Sequence, residues 1–131
     1  MNEHSFIKKV HRLLPDSIFI WKIADPFQGG VPDALYFGQN GTTLFVEYKY
    51  VQKRPVRPTT IIKPNLSAQQ QIWLSSLHER KQNVLVVLGH GADCSIFVTP
   101  KHWTEGIANA DLQPSTLKEL AETIVSVLGV T

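Results

Sequence analysis

Val31-Pro32-Asp33-Ala34-Leu35-Tyr36-Phe37 is followed by Gly38-Gln39-Asn40-Gly41 and then by Thr42-Thr43-Leu44-Phe45-Val46-Glu47-Tyr48-Lys49-Tyr50. Two runs rich in aromatic and β-branched residues, separated by a link bearing Gly and Asn, predict strands over 34–37 and 43–50 joined as a β-hairpin. Side chains alternate across a strand, so Phe45, Glu47 and Lys49 share one face, and Leu44, Val46, Tyr48 and Tyr50 share the other. Antiparallel pairing carries Asp33, just ahead of the first strand, to the side of Glu47. Two acids and one lysine are therefore expected together at one sheet edge.

Outward from the hairpin, Phe6, Ile7, Val10, Leu13 and Leu14 recur at helical spacing and Pro15-Asp16 ends the pattern, which predicts an amphipathic helix over 3–14. Residues 17–23 read as a strand, and Asp25-Pro26-Phe27-Gln28-Gly29-Gly30 as turns. Pro55, Pro58 and Pro64 remove backbone donors within 51–65 and predict a loop there. Ser67 opens a helix running to about His78, with Trp73, Leu74 and Leu77 as its apolar contacts. A buried strand over 84–88, a turn at Gly89-His90-Gly91 and a strand over 94–98 follow. Leu117, Leu120, Ala121, Ile124 and Leu128 define one face of a last helix, with Ser115 as N-cap and Gly129 as stop. The expected fold class is α/β: a central mixed β-sheet flanked by helices, in the order αβββαββ plus a C-terminal helix.

With 131 residues, 43% of them hydrophobic and 18% charged, the chain is expected to form one domain over 1–131 with a real core. Residues 3–98 would be its catalytic core and 99–131 a helical extension. Its apolar runs are strand-sized, which points away from a membrane. A lone cysteine, Cys94, beside the apolar run over 95–98 reads as a buried thiol and fits a reducing, cytoplasmic setting. The net charge of +2 does not by itself argue for nucleic acid. Its distribution says more: no acid occurs from Tyr48 to His78, a stretch that holds Lys49, Lys53, Arg54, Arg57 and Lys63. Such a segment can lie against phosphates, or it can be a solvated loop.

Two close carboxylates repel, which raises a pKa or recruits a cation, and hard oxygen ligands suit Mg²⁺ or Mn²⁺. A divalent ion held by Asp33 and Glu47 could polarise a phosphoryl oxygen, while Lys49 orients the attacking water or offsets developing charge. The pattern is that of a phosphodiester hydrolase. The five histidines are scattered without metal or triad spacing, so a histidine-based site is not expected.

Val31-Pro32-Asp33 followed by Phe45-Val46-Glu47-Tyr48-Lys49 resembles the active-site motif of the PD-(D/E)XK nuclease superfamily. The resemblance extends to members similar to archaeal Holliday-junction resolvases and to the VRR-NUC group. It covers Glu3 on the first helix, Gly30-Val31-Pro32-Asp33 at a strand start, Glu47-Tyr48-Lys49, and Leu66-Ser67-Ala68-Gln69-Gln70 with Trp73-Leu74 on the next helix. It implies a restriction-endonuclease-like core, with metal held by Asp33, Glu47, the Tyr48 carbonyl and Glu3. Asp33, Glu47, Lys49 and Gln70 would be its catalytic residues. Glu-x-Lys alone is common, and the chain carries a second copy in Glu79-Arg80-Lys81, outside any strand context. The ordered set on matching elements is what discriminates. Gln70 stays open between two roles, since Ser67-x-x-Gln70 is also a capping box, and Glu3 equally suits the dipole of a helix start.

The expected activity is metal-dependent DNA endonuclease action, with Mg²⁺ or Mn²⁺ as cofactor and Lys53, Arg54, Arg57 and Lys63 on the DNA backbone. A homodimer acting on four-way junctions leads. A sequence-specific homing or restriction-like enzyme is the alternative, and an inactive DNA-binding protein of the same fold is the alternative from another class.

Overall fold

The computed structural model describes residues 1–25 and 27–130; of the turn-rich stretch, Pro26 lies outside the described residues, as does Thr131 at the end of the expected extension. The chain runs α1 (Glu3–Leu13), β1 (Phe19–Lys22), β2 (Ala34–Phe37), β3 (Thr43–Val51), β4 (Ile61–Ile62), α2 (Ala68–Glu79), β5 (Val84–His90) and β6 (Asp93–Phe97). It continues through α3 (Pro100–Glu105), β7 (Ile107–Ala108), a 3-10 turn at Asn109–Asp111, β8 (Ser115–Thr116) and α4 (Leu117–Leu128). Six strands form a mixed sheet in the order β1-β2-β3-β5-β6-β8. β3 and β5 are parallel, and the other neighbours antiparallel. The expected α/β class, with a central mixed sheet flanked by helices, is what the chain forms.

Each sheet face carries its own core. Phe6 and Val10 of α1 and Leu120, Ala121, Ile124 and Leu128 of α4 pack on Leu44, Val46 and Tyr48. On the opposite face Leu74 of α2, Trp103 of α3 and Leu112 pack on Val84, Val86 and Leu88. β5 is buried along all of its length because helices cover both its faces, which is why it reads as a continuous apolar run. Beneath the first core runs a polar chain: the Tyr36 hydroxyl lies 2.7 Å from that of Tyr48 and 2.7 Å from Nε2 of His11. Burial, and then the charge of Lys22, push the His11 imidazole down to about 4. His11 is therefore a neutral partner at physiological pH.

Several boundaries differ from expectation. β5 continues through Gly89 and His90, and the reversal falls at Gly91, whose φ is +63°. Glycine is needed at position 89 because a Cβ there would meet the rings of Tyr50 at 2.7 Å and Phe6 at 2.9 Å. The N-cap of α4 is Thr116, in a capping box with Glu119, while Ser115 pairs with Cys94 in the sheet. The span 51–65 is not wholly loop, since β4 pairs with β7 across a long sequence separation that local periodicity does not register. Residues 99–130 hold more than a helix: α3, β7, β8 and α4 close both cores.

Candidate active site

β2 begins at Ala34, paired with Val46, so β3 outruns β2 and the Glu47–Val51 end of its edge meets no strand there. Asp33 fills the first vacancy, its Oδ2 accepting the Tyr48 backbone N–H at 2.7 Å. The N–H and C=O of one strand residue point to the same side, so the Tyr48 carbonyl faces the same open edge. The loop before Asp33 is seated by Gly30, whose φ is +88° and where a Cβ would lie 2.6 Å from the Gln69 carbonyl oxygen. Only glycine permits this approach to the first turn of α2.

Glu47 is 2% exposed, on the α2 side of the sheet. Gln70 Nε2 donates to Glu47 Oε2 at 3.0 Å, while Gln70 Oε1 accepts the Ser67 N–H at 2.9 Å. The capping role of Gln70 is made by one end of its amide, and the other end contacts Glu47, so the cap leaves the nitrogen free to reach the acids.

Burial, then the charge of Asp33, push the Glu47 carboxyl up to about 8, against the pull of Lys49. Burial also raises Asp33, opposed first by the Tyr48 N–H and then by Lys49. The interaction between the two carboxyl groups adds to the rise at Glu47 and opposes the rise at Asp33. Glu3, at the start of α1 and largely accessible to solvent, is raised by partial burial and by the Asp33 charge. Asp33, Glu47, Lys49 and Gln70 are thus brought to one place, with Glu3 at its edge.

The donor set is hard oxygen: two carboxylates with excess mutual repulsion, beside an open carbonyl. It fits a small divalent cation, whose charge would relieve that repulsion. Among the described residues no group of three or more His, Cys, Asp or Glu side chains forms a ready-made metal cage.

The basic segment divides. Lys53, Arg57 and Lys63 are exposed. Arg54, expected with them on DNA, is engaged inside the protein: its Nε donates to Asn109 Oδ1 at 2.6 Å, and its Nη2 to the carbonyls of Asn109 at 3.0 Å and Leu112 at 2.9 Å. Asn109 Nδ2 in turn donates to the carbonyls of Pro55 and Arg57. The proline-rich segment is thereby clamped onto the chain's last third, a contact that only an i-to-j pairing far apart in sequence could have revealed.

Fold and site together define a mixed α/β domain of restriction-endonuclease-like fold, with Asp33, Glu47 and Lys49 gathered at one edge of its sheet. The chain shares its fold with the Holliday junction resolvase Hjc of Archaeoglobus fulgidus, an archaeal hyperthermophile, at a TM-score of 0.55 and 16% sequence identity over 93% of this chain and 97% of that one. A VRR_NUC domain matches with a TM-score of 0.49 and 22% identity, over 67% of this chain and 84% of that one. No protein-family model matches the sequence. No curated protein matches it either. Among the described residues no helix is long and apolar enough to cross a membrane.

Proposed function

We propose that the protein is a Mg²⁺- or Mn²⁺-dependent DNA endonuclease that acts as a homodimer on branched DNA. The observation that carries this reading is the buried Glu47 carboxyl, pressed against Asp33 and held by Gln70, with Lys49 on the same strand face. Asp33, Glu47 and the Tyr48 carbonyl would hold the cation. A cation so bound supplies Lewis acidity toward a phosphoryl oxygen and a more acidic water. Lys49 would offset charge developing on the phosphate and could orient an attacking water, and Gln70 would hold the Glu47 carboxylate in place. The A. fulgidus protein, a Holliday junction resolvase, favours a branched substrate. One site cuts one strand, and paired cuts call for two sites, most simply in a two-fold dimer.

The test is a cleavage panel of four-way junction, linear duplex and long natural DNA, with cuts mapped and the protein's mass in solution recorded. Symmetric nicks near the branch by a dimer, dependent on Mg²⁺ or Mn²⁺ and stopped by chelator, are expected. A single cut in long duplex with the junction ignored would replace this reading by the sequence-specific one, and binding of DNA without any cutting by the inactive one.

The exposed cations make a separate expectation. Arg57→Ala and Lys63→Ala should weaken binding on every sequence alike and lower the salt slope by about one unit each. Arg54→Ala should instead lower the melting temperature, because it breaks three bonds to the 109–112 segment. A salt slope unchanged in Arg57→Ala and Lys63→Ala would make the loop mere solvated surface.

A further inference from the structure

The sheet face that bears the acids carries, next to them, an uncovered row of aromatic side chains. Register places Ile23, Asp33 and Glu47 across one rung, Trp21, Leu35 and Phe45 across the next, and Phe19, Phe37 and Thr43 across the one after. α2 lies over β5 and stops short of β1, leaving Trp21 52% and Phe19 69% exposed. Trp21, Trp73, Leu35 and Phe45 wall a cleft of about 400 Å³, with Asp25 and Val31 among its other lining residues. Its volume falls in the range of small-molecule sites, roughly 300–1,000 Å³.

We propose that this cleft and the Trp21–Phe19 row form a stacking platform for unpaired bases beside the scissile phosphate, so that the substrate class is DNA with an unstacked segment at the cut. The inference rests on the nuclease reading above. Same-face neighbours on a strand lie about 7 Å apart, or roughly two stacked base steps of ~3.4 Å, so a strand whose phosphate sits at the Asp33–Glu47 rung places a nearby base on the Trp21 rung. The basic segment follows the other end of β3, beyond Lys49. Backbone-binding and base-binding features thus flank the acids on opposite sides. Asp25, one of whose oxygens accepts the N–H groups of Phe27 and Gln28, is the one charged residue among those lining the cleft. The lining is otherwise aromatic and aliphatic and includes no Lys or Arg to meet a phosphate, which selects a base over backbone as the occupant. Aromatic faces stack on any base, so the platform reads strand state rather than sequence.

The test compares a short single strand, the same strand fully paired, and the single strand with one abasic site beside the mapped cut. Affinity is measured in chelator and cleavage in Mg²⁺. Trp21→Leu should weaken binding of the single strand by about 5- to 100-fold and leave the paired duplex within about twofold. Trp21→Phe should keep the affinity while reducing the indole fluorescence quench that the strand causes, the remainder coming from Trp73 in the same cleft. The abasic site should cost the parent protein a similar factor and cost Trp21→Leu nothing further. Equal affinity of Trp21→Leu and the parent, or equal losses on single strand and duplex, would overturn the platform. So would a shift of the protein's mass on Trp21→Leu together with equal losses, which would make the row a contact between copies of the chain. Loss of the nuclease reading would show separately, as no metal-dependent cutting by the parent protein.

Discussion

Glu47→Gln, Asp33→Asn and Lys49→Ala are each expected to lower DNA cleavage on the order of 10²- to 10³-fold or more, with the protein still folded. Each removes a different contribution. Asparagine at position 33 keeps an oxygen that can accept the Tyr48 N–H but loses the charge that would bind a cation. Alanine at position 49 removes the ammonium from the same face as the acids. Glutamine at position 47 is the most informative of the three. Its amide can donate to Asp33 as the protonated Glu47 does, and its oxygen can still accept from Gln70. Structure is preserved while the ability to bind a cation is lost. The measurement is single-turnover cleavage with a thermal melt of each variant, and full activity in any folded variant would remove that residue from the site.

Metal-free stability should fall by about 2 kcal/mol as pH rises from about 6.5 to 8.5. Burial pushes the Glu47 carboxyl up to about 8 in the folded protein, against an ordinary value of 4.5 when unfolded. The folded state therefore binds the extra proton between those values, and the stability that comes with it is lost as pH climbs through the upper one. His11 works in the opposite sense. Its folded value of about 4 lies below the ordinary 6.5 of a free imidazole, so protonation favours the unfolded chain as pH falls through that window. Below about pH 6.5 the two slopes oppose, and above it Glu47 stands nearly alone. Glu47→Gln should flatten the decline and make the metal-free protein more stable than the parent at pH 8. Mg²⁺ or Mn²⁺ should rescue the parent at that pH, by mass action on the ionised pair, and leave Glu47→Gln unmoved. Denaturant midpoints across the pH range decide it; a flat profile in the parent would mean that Glu47 is ionised without a cation.

Much of the site was legible because it is built from short-range rules. Two-residue periodicity puts Glu47 and Lys49 on one face, and antiparallel pairing brings Asp33 to the adjoining strand. The ambiguity at Gln70 dissolved only in three dimensions, because a capping box specifies where one amide oxygen goes and says nothing of the amide nitrogen. Arg54 was misplaced for a similar reason. A run of cations without acids looks the same whether its members face solvent or Asn109, and the partner lies 55 residues away.

The helices α1, α2 and α4, the hairpin, the apolar centre of the sheet and the motif order were determined by the sequence alone. Each follows from local periodicity, turn residues and capping, which operate within a few residues of one another. Tertiary structure alone decided the rest: the β4–β7 pairing, the clamp on the proline-rich segment, the polar chain of His11, Tyr36 and Tyr48, and the upward push on the Glu47 carboxyl. It also decided which tryptophans are core and which are surface, with Trp103 1% exposed and Trp21 52%. A pKa depends on the water a group loses and the charges it meets, and exposure depends on where a neighbouring helix stops. Both are fixed by residues distant in the chain that meet only when the sheet closes.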